Sequence, residues 1–202
     1  MLRADDLGPL RDFYEGRLGL STLVSTDDEV CFQAGQSELC FRRHSEPALY
    51  HFAFNIAPAK IESALAWLQA RTPLRMPDIV DFPNWNAHAV YFVDPLGNIL
   101  EFIARHDMPS DDASDFEAAD IWGVSEIGVV VDDVAEAVRN FQERLALPVY
   151  KGSLSSEFAA LGDDEGLLIV VRTGRPWFSS PSLLAKAYPT DIEFAGGATL
   201  QV

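Results

Sequence analysis

Two cysteines in 202 residues, Cys31 and Cys40, are too few for a disulfide framework or a cysteine-rich metal knuckle. Both fall in strand-like runs and read as small buried hydrophobes of a reducing compartment. Basic residues are scarce as well: 15 Lys and Arg stand against 31 Asp and Glu, for a net charge of −16 and a pI near 4.4. Such a balance opposes phosphate backbones and anionic bilayers, so neither nucleic acid nor membrane is expected as a partner. No run reaches the ~18 apolar residues of a membrane span, and Met1-Leu2-Arg3-Ala4-Asp5 begins no signal peptide. A cytoplasmic protein is expected. At 48% hydrophobic residues the chain can bury one large core or two small ones.

The most informative stretch is HAVYFVDPLGNILEFIAR, from His88 to Arg105. Apolar β-formers flank Asp94-Pro95-Leu96-Gly97, where Pro95 suits the first central position of a type I turn and Gly97 the αL position after it. Placing Asp94 opposite Asn98 pairs Val93 with Ile99, Phe92 with Leu100 and Tyr91 with Glu101. Val90, Phe92, Leu100, Phe102 and Ala104 then form a core face, while Tyr91, Ile99, Glu101, Ile103 and Arg105 share the other. A phenol and a carboxylate thus lie side by side, turned away from the core.

Around this hairpin the chain divides into units of one helix and several strands. The first has a helix from Leu7 to Leu18, with Asp6 placed to cap and Gly19 to stop, then strands at Ser21 to Ser25, Val30 to Ala34 and Leu39 to Arg43. The second opens with a strand whose Tyr50, Phe52, Phe54 and Ile56 alternate with His51, Ala53 and Asn55. A helix over 59–71 and the hairpin complete it. The third has a strand over 124–131, an Asp132-Asp133 cap and a helix from Val134 to Leu145. It repeats the first at an offset of 127 residues, Asp6 matching Asp133. Carried backward, the repeat puts the first unit's leading strand before Met1, so that strand is expected to be missing. Asp191 to Phe194 reads as the start of a fourth, uncompleted unit. The expected organisation is a first domain over 1–106 (units 1–46 and 47–106), an acidic linker over 107–121 that includes Asp111-Asp112, and a second domain over 122–202. The fold class is α+β, with repeated βαβββ modules in cupped mixed sheets and helices on the convex side.

Repeated βαβββ modules, the FYxxxLGL helix end at Phe13 to Leu20 and YFVDPLGNILEF at Tyr91 to Phe102 resemble the vicinal oxygen chelate superfamily. That superfamily includes glyoxalase I, extradiol dioxygenases and fosfomycin- and bleomycin-resistance proteins. The resemblance implies a cup of two modules holding a divalent metal (Fe, Mn, Ni or Zn). It places His51 at the histidine-ligand position and Glu101 at the glutamate-ligand position. The His51–Glu101 spacing, and Tyr91 ten residues before the glutamate, are similar to those of ring-cleaving dioxygenases. It supports fold more strongly than activity.

The third ligand departs from the pattern. The equivalent position in the first unit falls before Met1, and in the third unit it is Glu126. Three readings stand: Glu126 completes the cup, the natural protein starts earlier, or the site is incomplete. For each candidate ligand the bland alternative is a hydrogen-bonded strand histidine or a surface carboxylate. Tyr91 is the candidate catalytic group, as a donor to a substrate oxygen. Trp85, Asn86, Arg105 and Trp177 are candidate substrate contacts, Trp177 as a lid, with packing or a surface ion pair as the alternatives. His88 falls on the core-side face and reads as structural or as a rim residue, and His44 and His106 lie in loop and linker. The expected activity is that of a metal-dependent enzyme on a small vicinal-oxygen substrate, most like an extradiol dioxygenase. A metal-free drug-binding protein and a glyoxalase-type isomerase are the alternatives. A homodimer is expected, a second chain closing open edges.

Overall fold

The structure is a computed structural model and describes residues 1–108, 110, 112 and 114–202. Pro109, Asp111 and Ala113, part of the expected linker, lie outside the described residues.

Three βαβββ modules follow one another. The first contains β1 (Leu2–Ala4), α1 (Gly8–Arg11, continued by a π-helical turn Asp12–Arg17), β2 (Ser21–Ser25), β3 (Glu29–Ala34) and β4 (Ser37–Arg43). The second contains β5 (His51–Ile56), α2 (Ile61–Gln69), β6 (Val80–Phe82), β7 (Ala87–Val93) and β8 (Ile99–Arg105). The third contains β9 (Gly123–Val131), α3 (Val134–Leu145), β10 (Val149–Leu154), β11 (Phe158–Gly162) and β12 (Leu167–Arg172). Each leading strand runs parallel to the last strand of its module, and the other pairs within each module are antiparallel. After the third module come two small hairpins, β13 (Pro176–Trp177) with β14 (Ser180–Leu184) and β15 (Asp191–Glu193) with β16 (Thr199–Gln201). No helix among the described residues is long and apolar enough to cross a membrane.

The leading strand expected to be missing is present as the short β1, which pairs Leu2 with Phe41. An offset measured on helix caps cannot register a strand shortened to three residues. The second and third modules join through antiparallel pairing of β5 with β9, giving a curled eight-stranded sheet in the order β10-β11-β12-β9-β5-β8-β7-β6. The first module keeps its own sheet, β1-β4-β3-β2. The continuous sheet therefore runs across the boundary expected at 107–121. Among its described residues, Phe116 is buried against Trp67 and Phe102, and buried Lys60 reaches Asp112 at 2.9 Å and Asp120 at 2.6 Å. β15 pairs only with β16, and its Asp191 exchanges two backbone hydrogen bonds with Met1.

Cys31 and Cys40 are joined as a disulfide rather than standing as separate thiols, because the β3–β4 register sets them directly opposite with their Cα atoms 4.1 Å apart. The ground for reading a reducing compartment falls with that correction.

Alternation decides what each sheet face buries. Phe52 and Phe54 of β5, with Phe92, Leu100 and Phe102, pack against Phe13, Tyr14, Phe32 and Phe41 of the first module. The other face of the second module, with Ala53, Ala89, Tyr91, Ile99 and Ile103, turns into the curl of the eight-stranded sheet. The third module's own core, around Val138, Phe141, Leu168 and Val170, lies between α3 and its strands.

Candidate metal centre

The Asp94-to-Asn98 turn fixes the register of the site. Gly97 (φ 84°) donates to the Asp94 carbonyl, and the Asp94 carboxylate accepts from the backbone N–H groups of Leu96 and Asn98. Its second oxygen accepts from the Asn98 amide and from the Tyr14 hydroxyl of the first module. The Asn98 side chain then accepts from the Tyr50 N–H at 2.8 Å, and the Ile99 N–H donates back to the Tyr50 carbonyl. These bonds lock β8 beside β5 with His51 opposite Ile99 and Ala53 opposite Glu101.

Across the sheet, Tyr91 pairs with Glu101, Glu101 with Ala53, and Ala53 with Glu126. One row therefore sets two carboxylates on either side of a methyl group, with His51 two residues away on the same face. The small Ala53 side chain leaves the space between them. One ligand atom from each of His51, Glu101 and Glu126 lies within 4.8 Å of the others, and all three residues are buried. His51 Nε2 stands 3.8 Å from a Glu101 oxygen and 3.9 Å from a Glu126 oxygen.

Burial lowers the His51 pKa to about 4, so at neutral pH the ring is uncharged and neither contact is an ion pair. Its Nδ1 lies 3.2 Å from the Ile99 carbonyl, a bond only an Nδ1–H can donate. Nε2 is then a bare lone pair facing two carboxylates. Burial first, and then the Glu126 charge, pushes the Glu101 carboxyl well above the usual range. Burial also raises Glu126, with Arg105 opposing. Neutral imidazole anchored by its far nitrogen, beside two carboxylates of raised pKa, is a donor set that suits a divalent ion.

Arg105 is fully buried. It donates to Glu126 at 2.5 Å and to Asn55 at 2.7 Å, while its Nε has no hydrogen-bond partner among the described residues. Tyr91 is buried beside Glu101, and burial followed by that charge raises its pKa well above the ordinary value. Trp177 lies over His51, ring centres 5.4 Å apart, and Phe178 against Tyr91 at 6.0 Å.

Five of the eight residues singled out by sequence thus meet in the curl as one group: His51, Glu101, Glu126, Tyr91 and Arg105. Trp177 covers them. Trp85 and Asn86 do not join it. Trp85 packs on Tyr150 and Phe158 and donates to Ser153, closing the sheet on itself, and Asn86 holds a left-handed turn (φ 50°) bonded to Asp107. Asn55, Ala53 and Gly128 were missed. Strand alternation places the first two on the His51 face. The same alternation puts Gly128 on the Glu126 face, and a Cβ there would meet Trp177 at 2.9 Å.

By sequence the chain matches no protein-family profile and no curated protein. Its fold does match solved structures. A putative dioxygenase from Bacillus subtilis subsp. subtilis str. 168 superposes over 84% of this chain with TM-score 0.62 and 15% identity. A glyoxalase I variant from Zea mays superposes over 85% with TM-score 0.57 and 14% identity. The chain spans 61% of the first protein's length and 66% of the second's. These likenesses concern the fold, which the chain shares with both structures.

Proposed function

We propose that this chain is a divalent-metal enzyme that acts on a small molecule presenting two neighbouring oxygens, most like an extradiol dioxygenase. The observation that supports this most is the free Nε2 of an uncharged, anchored His51 aimed at Glu101 and Glu126. A divalent ion held there would supply a Lewis acid and a template for two oxygens. The chain's own residues do the rest. Glu126 holds its charge against Arg105, which orients it by occupying one oxygen, Glu101 gives up its proton to let an ion bind, and the Tyr91 hydroxyl can donate to a substrate oxygen on the Glu101 side. In a glyoxalase-type isomerase the same carboxylates would move a proton.

Purified without chelator, the protein is expected to carry close to one divalent ion per chain, and His51→Ala or Glu101→Ala to strip it. Elemental analysis for Fe, Mn and Zn reads this, and any of these retained by both variants would overturn the assignment. One observation favours the other class, a metal-free binder of small drug-like molecules: the Arg105 contact satisfies Glu126 without any ion.

A homodimer belongs to the same proposal. β2 is a free edge of the first sheet, with Leu23 and Val24 exposed on it, and a second chain would cover them. A strictly monomeric mass in light scattering at micromolar concentration would remove it.

A further inference from the structure

On the face of the sheet opposite the metal centre, a row of three side chains crosses neighbouring strands. Asp81 of β6 pairs with His88 of β7, His88 pairs with Ala104 of β8, and His106 stands two residues beyond Ala104 on the same side. His88 Nδ1 and His106 Nε2 are 2.7 Å apart, with the rings perpendicular. On its other edge His88 Nε2 lies 3.7 Å from an Asp81 carboxylate oxygen. The backbone holds both ends of the pair, since β7 runs in mid-sheet and the His106 N–H donates to the Asn86 carbonyl at 2.9 Å. The neighbouring Asp107 is engaged by Asn86 and Lys151 and is not drawn toward the imidazoles.

We propose that His88 and His106 form a second metal site, a two-imidazole clamp at the rim for Cu(II) or Ni(II), with Asp81 orienting His88 from behind. Two nitrogens each ~2.05 Å from an ion sit about 2.9 Å apart at a right angle and about 3.3 Å apart in a tetrahedron. The observed spacing is closest to the right-angled pair, which suits the square geometries of Cu(II) and Ni(II). The two nitrogens face each other, and a small turn about the soft χ2 torsions would point both at a common centre. With Nδ1 on an ion, Nε2 would carry the ring's hydrogen and face the Asp81 carboxylate, as ligating histidines do with outer carboxylates. Both rings are reachable from solvent, His88 with a side chain 38% exposed, so no part of the fold has to open. The clamp would tie the end of β8 to β7 where the chain leaves for the third module.

Copper titration followed by electron paramagnetic resonance tests this without reference to the buried centre, which offers one nitrogen where the rim offers two. The expected result is a two-nitrogen Cu(II) spectrum at one equivalent in the wild-type protein. It should be lost in His88→Gln and in His106→Gln, with affinity weakened tenfold or more in Asp81→Asn. All three side chains are at least partly exposed, so the variants are expected to fold, and circular dichroism checks that they do. A wild-type protein without the two-nitrogen signal, or a signal that survives both histidine variants, would overturn the proposal.

Discussion

Glu101 carries the charge problem of the cup. His51 is neutral and Arg105 balances Glu126, so the Glu101 charge would stand alone in a buried place, and its raised pKa keeps the proton on as pH rises past the ordinary carboxylate range. A divalent ion held there would take the place of that proton. Affinity for the ion is therefore expected to fall as pH is lowered, and calorimetry in two buffers of different ionisation enthalpy is expected to show more protons released per ion at lower pH. An affinity independent of pH would mean that Glu101 is not a ligand. Tyr91 separates enzyme from binder at the same scale. Tyr91→Phe keeps the ring against Phe178 and removes only the hydroxyl, so turnover is expected to fall on the order of 10²-fold with metal content unchanged. Unchanged turnover would take Tyr91 out of the chemistry. Alternation and one hairpin register sufficed to place Tyr91, Glu101 and His51 on one face. The partnership of Arg105 with Glu126 was not legible, because it exists only through the long-range pairing of β5 with β9.

Among the elements, those with local punctuation were the readable ones. α3 begins where Asp133 accepts from the Glu136 N–H and ends at a left-handed Ala146, as its cap sequence implies. Asp6 likewise takes the Gly8 N–H ahead of α1, and Gly19 (φ 74°) follows its end. The Asp94-to-Asn98 turn read correctly as a turn, but its second duty did not show. Its two polar side chains are buried struts between α1, β5 and β8 rather than solvent-facing loop residues. The disulfide was missed for a related reason: the β3–β4 strands were recognised, yet without a register for their turn nothing said that Cys31 and Cys40 stand opposite each other. Composition could not show that within 107–121 Asp112 and Asp120 partner buried Lys60 and that Phe116 and Ile121 lie in the core.

At the scale of the whole molecule, the cup is closed rather than open. The arm that follows β12 lays Trp177 over His51 and Phe178 over Tyr91, and a hydrogen bond from Arg75 to Ser180 ties the arm to the second module. Gly128 makes room for the indole, as its missing Cβ shows. A centre whose three candidate ligands are each less than a tenth exposed cannot exchange an ion or admit a substrate unless something moves. The arm lies directly over the ligands, and Gly174 (φ 81°) stands at its root, where an added Cβ would meet nothing within 4 Å. Trp177→Ala removes the plug and Gly128→Ala pushes it out from below, by unrelated chemistry. Both are expected to speed removal of the bound ion by an external chelator, tenfold or more, while the fold persists. Trp177→Ala alone also loses buried surface, at a cost of up to about 3–5 kcal/mol. Stopped-flow chelation against a coloured acceptor reads the rate, and thermal unfolding reads the cost separately. If both variants release the ion at the wild-type rate, the arm is packing and the route to the centre lies elsewhere.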